Sequence, residues 1–231
     1  MFSGLEIAQA PDFRRHLNKY DVIHIDIQWF LANCENADEV VSFITKSVLD
    51  ELKEIYPGTL PTEFVKLPDA LSRVKEKTGQ KFIIIIDEWD VLIRDGEVSE
   101  IIQDGYINFL RGMFKGTEPI KYIQLAYLTG ILPIKKEKAQ SAVNNLDEFT
   151  MLQAFGLAPY IGFTENEVKN LCEKYNRDFE KVKKWYDGYL LDDYQVYNPK
   201  AVILIILLRF TAKIVIAMCV LYPKNEVSAV L

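Results

Sequence analysis

Two adjacent acids, Asp87 and Glu88, close the run FIIIIDEWD and are the residues best suited by type and spacing to do chemistry. The apolar stretch before them, Phe82 to Ile86, reads as a buried strand. In open α/β sheets, ligands bind beyond the carboxyl ends of such strands. Two acids at that end suit a nucleotide hydrolase. The first can hold Mg²⁺, directly or through water. The second can position and activate an attacking water, as a general base or a polarising group. Alternation along a strand lets the two face different tasks. The plainer reading is a buried strand that stops at a charged turn, and the bare motif does not separate the two. Thr129 ends a second strand, IQLAYLTG, where its hydroxyl could reach the water or a γ-phosphate. Taken alone, it reads more simply as a threonine before a glycine turn.

A phosphate tail also needs a cradle of backbone N–H groups and a lysine. Its sequence is a glycine-rich loop ending in Gly-Lys-Ser or Gly-Lys-Thr, between a strand and a helix. Neither tripeptide occurs in this chain. Lys115-Gly116-Thr117 has the letters in another order and follows a helix, and Thr78-Gly79-Gln80-Lys81 precedes a strand. Both read as turns. Tyr20, Trp29, Phe30 and Tyr56 read as core or surface aromatics, and Lys135 to Lys138 as a solvated turn. The cysteines, Cys34, Cys172 and Cys219, are far apart, and His16 and His24 are the only histidines. That spacing argues against structural zinc and thiol catalysis and fits a reduced cytoplasmic setting.

The elements that must position the acids follow from periodicity. Tyr20 to Ile27 reads as a buried strand and Asn36 to Ile55 as a helix. A shorter helix is expected over Leu67 to Lys77, then the Phe82 strand, a helix over Val98 to Phe114, and a strand over Ile120 to Leu128. Strands alternating with helices predict an α/β fold with a parallel sheet flanked by helices. From Thr164 the pattern becomes helical, with Thr164 and Glu167 spaced as a capping box and helices to Tyr175 and over Asp178 to Tyr186. The expected organisation is a core over 1–160, a lid-like helical extension over 161–200, and an apolar tail over 201–231. A composition of 49% hydrophobic and 26% charged residues is that of a folded domain. The net charge of −6 argues against a general nucleic-acid surface. The opening MFSGLEIAQAPDF lacks the pattern of a signal peptide.

FIIIIDEWD, YLTGILPIKK, AVNNLDEFTML, YIGFTENEV and KKWYDGYLLDDYQVYNP occur here in the order and spacing of the bacterial AAA-ATPase-like family. The resemblance runs from about Tyr20 to Pro199, and WYDGY followed by YNP is its most specific part. It implies a P-loop NTPase core that binds ATP with Mg²⁺ and hydrolyses it. Asp87 would then be the metal-side Walker B acid and Glu88 the catalytic acid beside it, while Thr129 remains a catalytic candidate from its place at the strand end. Many members carry a PD-(D/E)xK nuclease-like domain after this part. Members also usually hold an arginine-rich loop ending in Gly-Lys-Ser, and MFSGLEIA resembles the segment just beyond it. The expectation is an incomplete core, truncated before that point, which binds nucleotide weakly and is inactive alone. The alternative is a non-enzymatic remnant or interaction module. A metal-dependent nuclease built on Asp87 and Glu88 is disfavoured, because residues 87–90 supply no lysine.

The resemblance stops where AVILIILLRFTAKIVIAMCVL, Ala201 to Leu221, begins. Its apolar residues contribute roughly −4 to −8 kcal/mol to membrane insertion, and Arg209 with Lys213 cost roughly 5–7, so the balance is near zero. A tail left by a lost reading frame is favoured over a membrane contact through 201–221.

Overall fold

Three runs rich in apolar residues make the central sheet of the computed structural model, which describes residues 4–63, 65–132, 145–150, 153–186, 188–191 and 193–208. They are β1 (Asp21–Asp26), β2 (Phe82–Asp87) and β3 (Ile123–Leu128). The order is β1-β2-β3 and both pairings are parallel, so β2 is central. Register places Ile23, Ile84 and Ala126 side by side, and likewise Ile25, Ile86 and Leu128. These residues share a face, because successive side chains alternate. The chain divides into two units, Met1–Glu148 and Phe149–Leu231, each packed mainly within itself.

In the first unit the helices are α1 (Phe13–His16), α2 (Ile27–Ala32), α3 (Val40–Ile55), α4 (Leu67–Thr78), α5 (Val91–Arg94), α6 (Glu100–Phe114) and α7 (Pro119–Tyr122). The long ones are amphipathic. Helix α3 buries Val40, Ile44, Val48, Leu49 and Leu52, while α6 buries Tyr106, Ile107, Leu110, Met113 and Phe114. Helix α4 buries Ala70, Leu71 and Val74 and ends at Gly79 in the left-handed conformation, whose N–H reaches the Lys75 carbonyl at 2.8 Å. These faces and Phe82, Ile84 and Ile86 belong to one hydrophobic core.

The expected strand over Ile120 to Leu128 begins later, at Ile123. Pro119 cannot donate to a ladder but fits a first helical turn, so 119–122 is helical. Helix α2 had no counterpart in the periodicity. It starts because Asp26 accepts the Trp29 amide at 3.0 Å as an N-cap.

The other sheet face is thinly covered. Ile83 and Ile85 are partly buried, but Val22 is 57% exposed, Leu125 55% and Tyr127 39%. At its amino-terminal end, a cavity of about 450 Å³ lies between Val22 and Ile83 and the side chains of Ile7, Phe13 and Leu17. Among the described residues β3 pairs with β2 alone and forms an edge of the sheet.

In the second unit, α8 (Glu165–Lys174) carries the expected capping box. The Glu167 amide donates to Thr164 Oγ1 at 3.4 Å, and the Thr164 amide to Glu167 Oε2 at 2.7 Å. Helix α9 (Phe179–Trp185) follows, capped by Asp178. Strands β4 (Phe163–Thr164), β5 (Tyr189–Leu191) and β6 (Tyr194–Tyr197) make a small antiparallel sheet, order β4-β6-β5, that the helical pattern did not reveal. The glycines of YIGFT and WYDGY sit against β6. A Cβ on Gly162 would lie 2.6 Å from the Tyr197 carbonyl oxygen, and one on Gly188 2.5 Å from that of Val196. Helix α10 (Pro199–Leu208) ends the described chain. Among the described residues no helix is long and apolar enough to cross a membrane. Residues 209–231, most of the apolar tail, lie outside the described residues.

Ile84 stands wholly buried in the central strand. Ile84→Ala should lower unfolding stability by about 2–5 kcal/mol in urea. Leu125→Lys, on the thinly covered face of the edge strand, should shift stability by no more than about 0.5 kcal/mol. It should also reduce self-association measured by light scattering.

Candidate functional site

Asp87 closes the central strand, and the chain turns sharply after it. Glu88 takes φ +53°, the left-handed region, which costs a non-glycine residue roughly 1–2 kcal/mol. The turn is held by the neighbouring strand. The Thr129 amide donates to the Ile86 carbonyl, and the Trp89 amide to the Thr129 carbonyl, both at 2.9 Å. Side chains add to this. Thr129 Oγ1 hydrogen-bonds Asp87 Oδ1, while the Glu88 amide points at Asp87 Oδ1 (3.1 Å) and Thr129 Oγ1 (3.4 Å). Asp87, Glu88 and Thr129 are thus brought together, one strand apart, at the carboxyl edge of a parallel sheet.

The structure adds residues to these. Asp26 lies beside Asp87 in register at the end of β1, its side chain capping α2. Arg94, at the end of α5, donates to the Glu88 carboxylate. Its Nε lies 3.7 Å from Asp90 Oδ1. Asp90 is completely buried, and its Oδ2 accepts the amides of Ile131 (3.0 Å) and Leu132 (2.7 Å). Trp89 is buried too, and its carbonyl accepts from Tyr106 Oη at 2.8 Å. Burial first, and the charge of Asp90 second, push the Tyr106 hydroxyl well above its usual range, so it remains a donor. Burial and the nearby Asp87 also raise the Tyr127 hydroxyl. The spacing of Asp90 and Arg94, four residues apart, was the sequence signal available for that pair. Nothing in sequence pointed to Asp26, whose neighbour across the sheet is set by register.

Mg²⁺ is commonly held by one or two carboxylates, with waters and phosphate oxygens completing the shell. Asp87 fits such a contact, since among the described residues both hydrogen bonds to it use Oδ1 and leave Oδ2 out. Among the described residues no group of three or more His, Cys, Asp or Glu could hold a metal ion by itself. The chain contains no Gly-Lys-Ser or Gly-Lys-Thr. A cavity of about 210 Å³ lies beside the turn, against Gln28, Leu31, Val91, Arg94 and Asp95.

The other sequence candidates are packing groups. Trp29, Phe30 and Phe43 pack edge-to-face or tilted against one another, with centroids 5.0–6.0 Å apart. Tyr56 donates to Asp21, and burial with that carboxylate pushes its hydroxyl up to about 12. Burial also raises the Cys34 and Cys172 thiols, away from the reactive thiolate. Lys135 to Lys138 and Cys219 lie outside the described residues.

Thr129→Val deletes the hydroxyl that meets Asp87. It should lower stability by about 1 kcal/mol, the ordinary worth of one hydrogen bond, in denaturant unfolding. The Glu88 amide should exchange faster with solvent, because one of its two acceptors is gone.

A family model described as AAA-ATPase-like, predicted AAA-ATPase, matches residues 1–139. A protein of Azotobacter chroococcum mcd 1, described as "Uncharacterized protein in vnfD 5'region", is 28% identical over 127 residues. That alignment covers 52% of this chain and 24% of the relative, so the chain spans about a quarter of the protein it matches. No solved structure matches. With the family match extending over more than half of its 231 residues, the chain belongs to the AAA-ATPase-like family.

Proposed function

We propose that this chain is the metal-and-water side of an ATP-hydrolysing site. Asp87 holds Mg²⁺, directly or through water. Glu88 orients the attacking water and accepts its proton. Thr129 keeps the Asp87 carboxylate in place and flanks the reacting end of the nucleotide. Bound Mg²⁺ would neutralise charge on the phosphate oxygens. The observation that carries the reading is the pair of adjacent acids at the carboxyl end of the central parallel strand, with the hydroxyl of the next strand on the first acid. Such strand ends are where open α/β sheets bind ligands, and family membership supports the same reading. Without a phosphate cradle the chain alone is a poor ATPase.

A second reading is a non-enzymatic interaction module that binds no nucleotide. Two observations favour it: the lack of a Gly-Lys-Ser/Thr loop, and the engagement of Glu88 by Arg94. Titration of the full chain with a fluorescent ATP analogue and Mg²⁺ bears on both. Weak or undetectable binding is expected. The chain should then be fused to a strand–glycine-rich-loop–helix segment ending in Gly-Lys-Ser. That form should bind Mg-ATP, and Glu88→Gln within it should keep binding while losing turnover by about 10²–10⁴-fold. Unchanged turnover in Glu88→Gln would remove the first reading, and failure of the fused form to bind would favour the second.

A further inference from the structure

Asp90 is the one acid of FIIIIDEWD that neither reading uses, and it is the best buried. Its two oxygens do different things. Oδ2 accepts the amides of Ile131 and Leu132, in the turn just after Thr129. Oδ1 accepts no hydrogen bond among the described residues and faces Arg94 Nε at 3.7 Å. The same guanidinium donates, through its Nη2, to Glu88. Gly130 lets the turn come this close, since a Cβ there would stand 2.7 Å from Asp90 Oδ1 and 2.6 Å from the Trp89 ring. A buried carboxylate requires compensating donors or charge. Two amides satisfy one oxygen, and the fork of an arginine, whose donors are fixed in a plane, compensates the other. The guanidinium is thereby aimed by a buried anion and presents its outer edge to Glu88.

We infer that Asp90 is a positioning residue that joins the two flanks of the site. Through Ile131 and Leu132 it fixes the turn that carries Thr129, and through Arg94 it fixes the orientation of the Glu88 carboxylate. The inference deepens the reading of Glu88 as the water-orienting group and rests on it for its meaning in catalysis. The geometric coupling can be tested separately.

Asp90→Asn separates the two tasks. The side-chain amide oxygen can still accept both backbone N–H groups, but its NH₂ then meets Arg94 Nε–H, donor against donor. In the full chain, followed by NMR, Asp90→Asn should keep the Ile131 and Leu132 amides protected from exchange. It should move the Arg94 Nε–Hε resonance and the Glu88 carboxyl ¹³C resonance. Asp90→Ala should do both kinds of damage, speeding exchange at Ile131 and Leu132 by more than about tenfold, as loss of a hydrogen bond to a charged group requires. Arg94→Gln lies on the partly exposed side and covers the case in which the Asp90 variants fail to fold. It should shift the Glu88 carboxyl resonance and leave the two amides protected. An Arg94 resonance unmoved by Asp90→Asn would overturn the inference, as would a Glu88 carboxyl resonance unmoved by Arg94→Gln. Turnover retained by Glu88→Gln in the loop-bearing form would instead remove the catalytic reading and leave these resonance shifts intact.

Discussion

The backbone pairing of Thr129 with the end of β2 is the constraint on which the site depends. One residue gives its amide to the Ile86 carbonyl and takes the Trp89 amide on its own carbonyl. Those two bonds clamp Asp87 and Glu88 between them and extend the parallel ladder past the point where the strand ends. The left-handed turn at Glu88 costs energy that the neighbouring strand offsets through the ladder and the Thr129 hydroxyl. Moving β3 by one residue would turn Thr129 away from Asp87, because strand side chains alternate. Register and site geometry are therefore one property of this sheet.

Around that clamp the charges are layered by burial. Asp90 is fully enclosed, while Asp87, Glu88 and Arg94 are partly exposed. An ion pair in water contributes little, whereas a buried carboxylate holds its partners firmly, since leaving it uncompensated is costly. The inner pair is therefore the fixed part of the arrangement, and the Arg94–Glu88 contact is the part open to exchange with water or ligand. Tyr106 keeps its proton and its bond to the Trp89 carbonyl, closing the turn from the side of α6.

In the second unit the glycine-bearing motifs have a backbone explanation. Gly162 and Gly188 sit where a Cβ would collide with β6, and Gly188 also has φ +74°. YIGFT, WYDGY and YQVYNP are thus three contributions to a small antiparallel sheet. Its own cores, one around Val168, Cys172, Val182 and Tyr197 and one around Ala154, Ala158, Leu191 and Val196, give it a separate interior. In the structure these motifs are places where chain passes close to chain.

Sequence alone determined the parallel α/β class, the three long strands, the main helices and the capping box at Thr164. Each follows from local periodicity or a short-range hydrogen bond. It also singled out Asp87, Glu88 and Thr129, because strand ends in such sheets are legible from where an apolar run stops. What only the tertiary structure decided was which strand ends meet. Asp26 beside Asp87, the Thr129 hydroxyl on Asp87, and the amides of Ile131 and Leu132 on Asp90 join residues about 40 to 60 positions apart. Arg94 was near in sequence, but its double engagement of Glu88 and Asp90 needs the left-handed turn, which no residue type announced. The small sheet was missed for the same reason. Strands of two to four residues carry too little alternation to show a period, and their pairing exists only once the chain has folded back on itself.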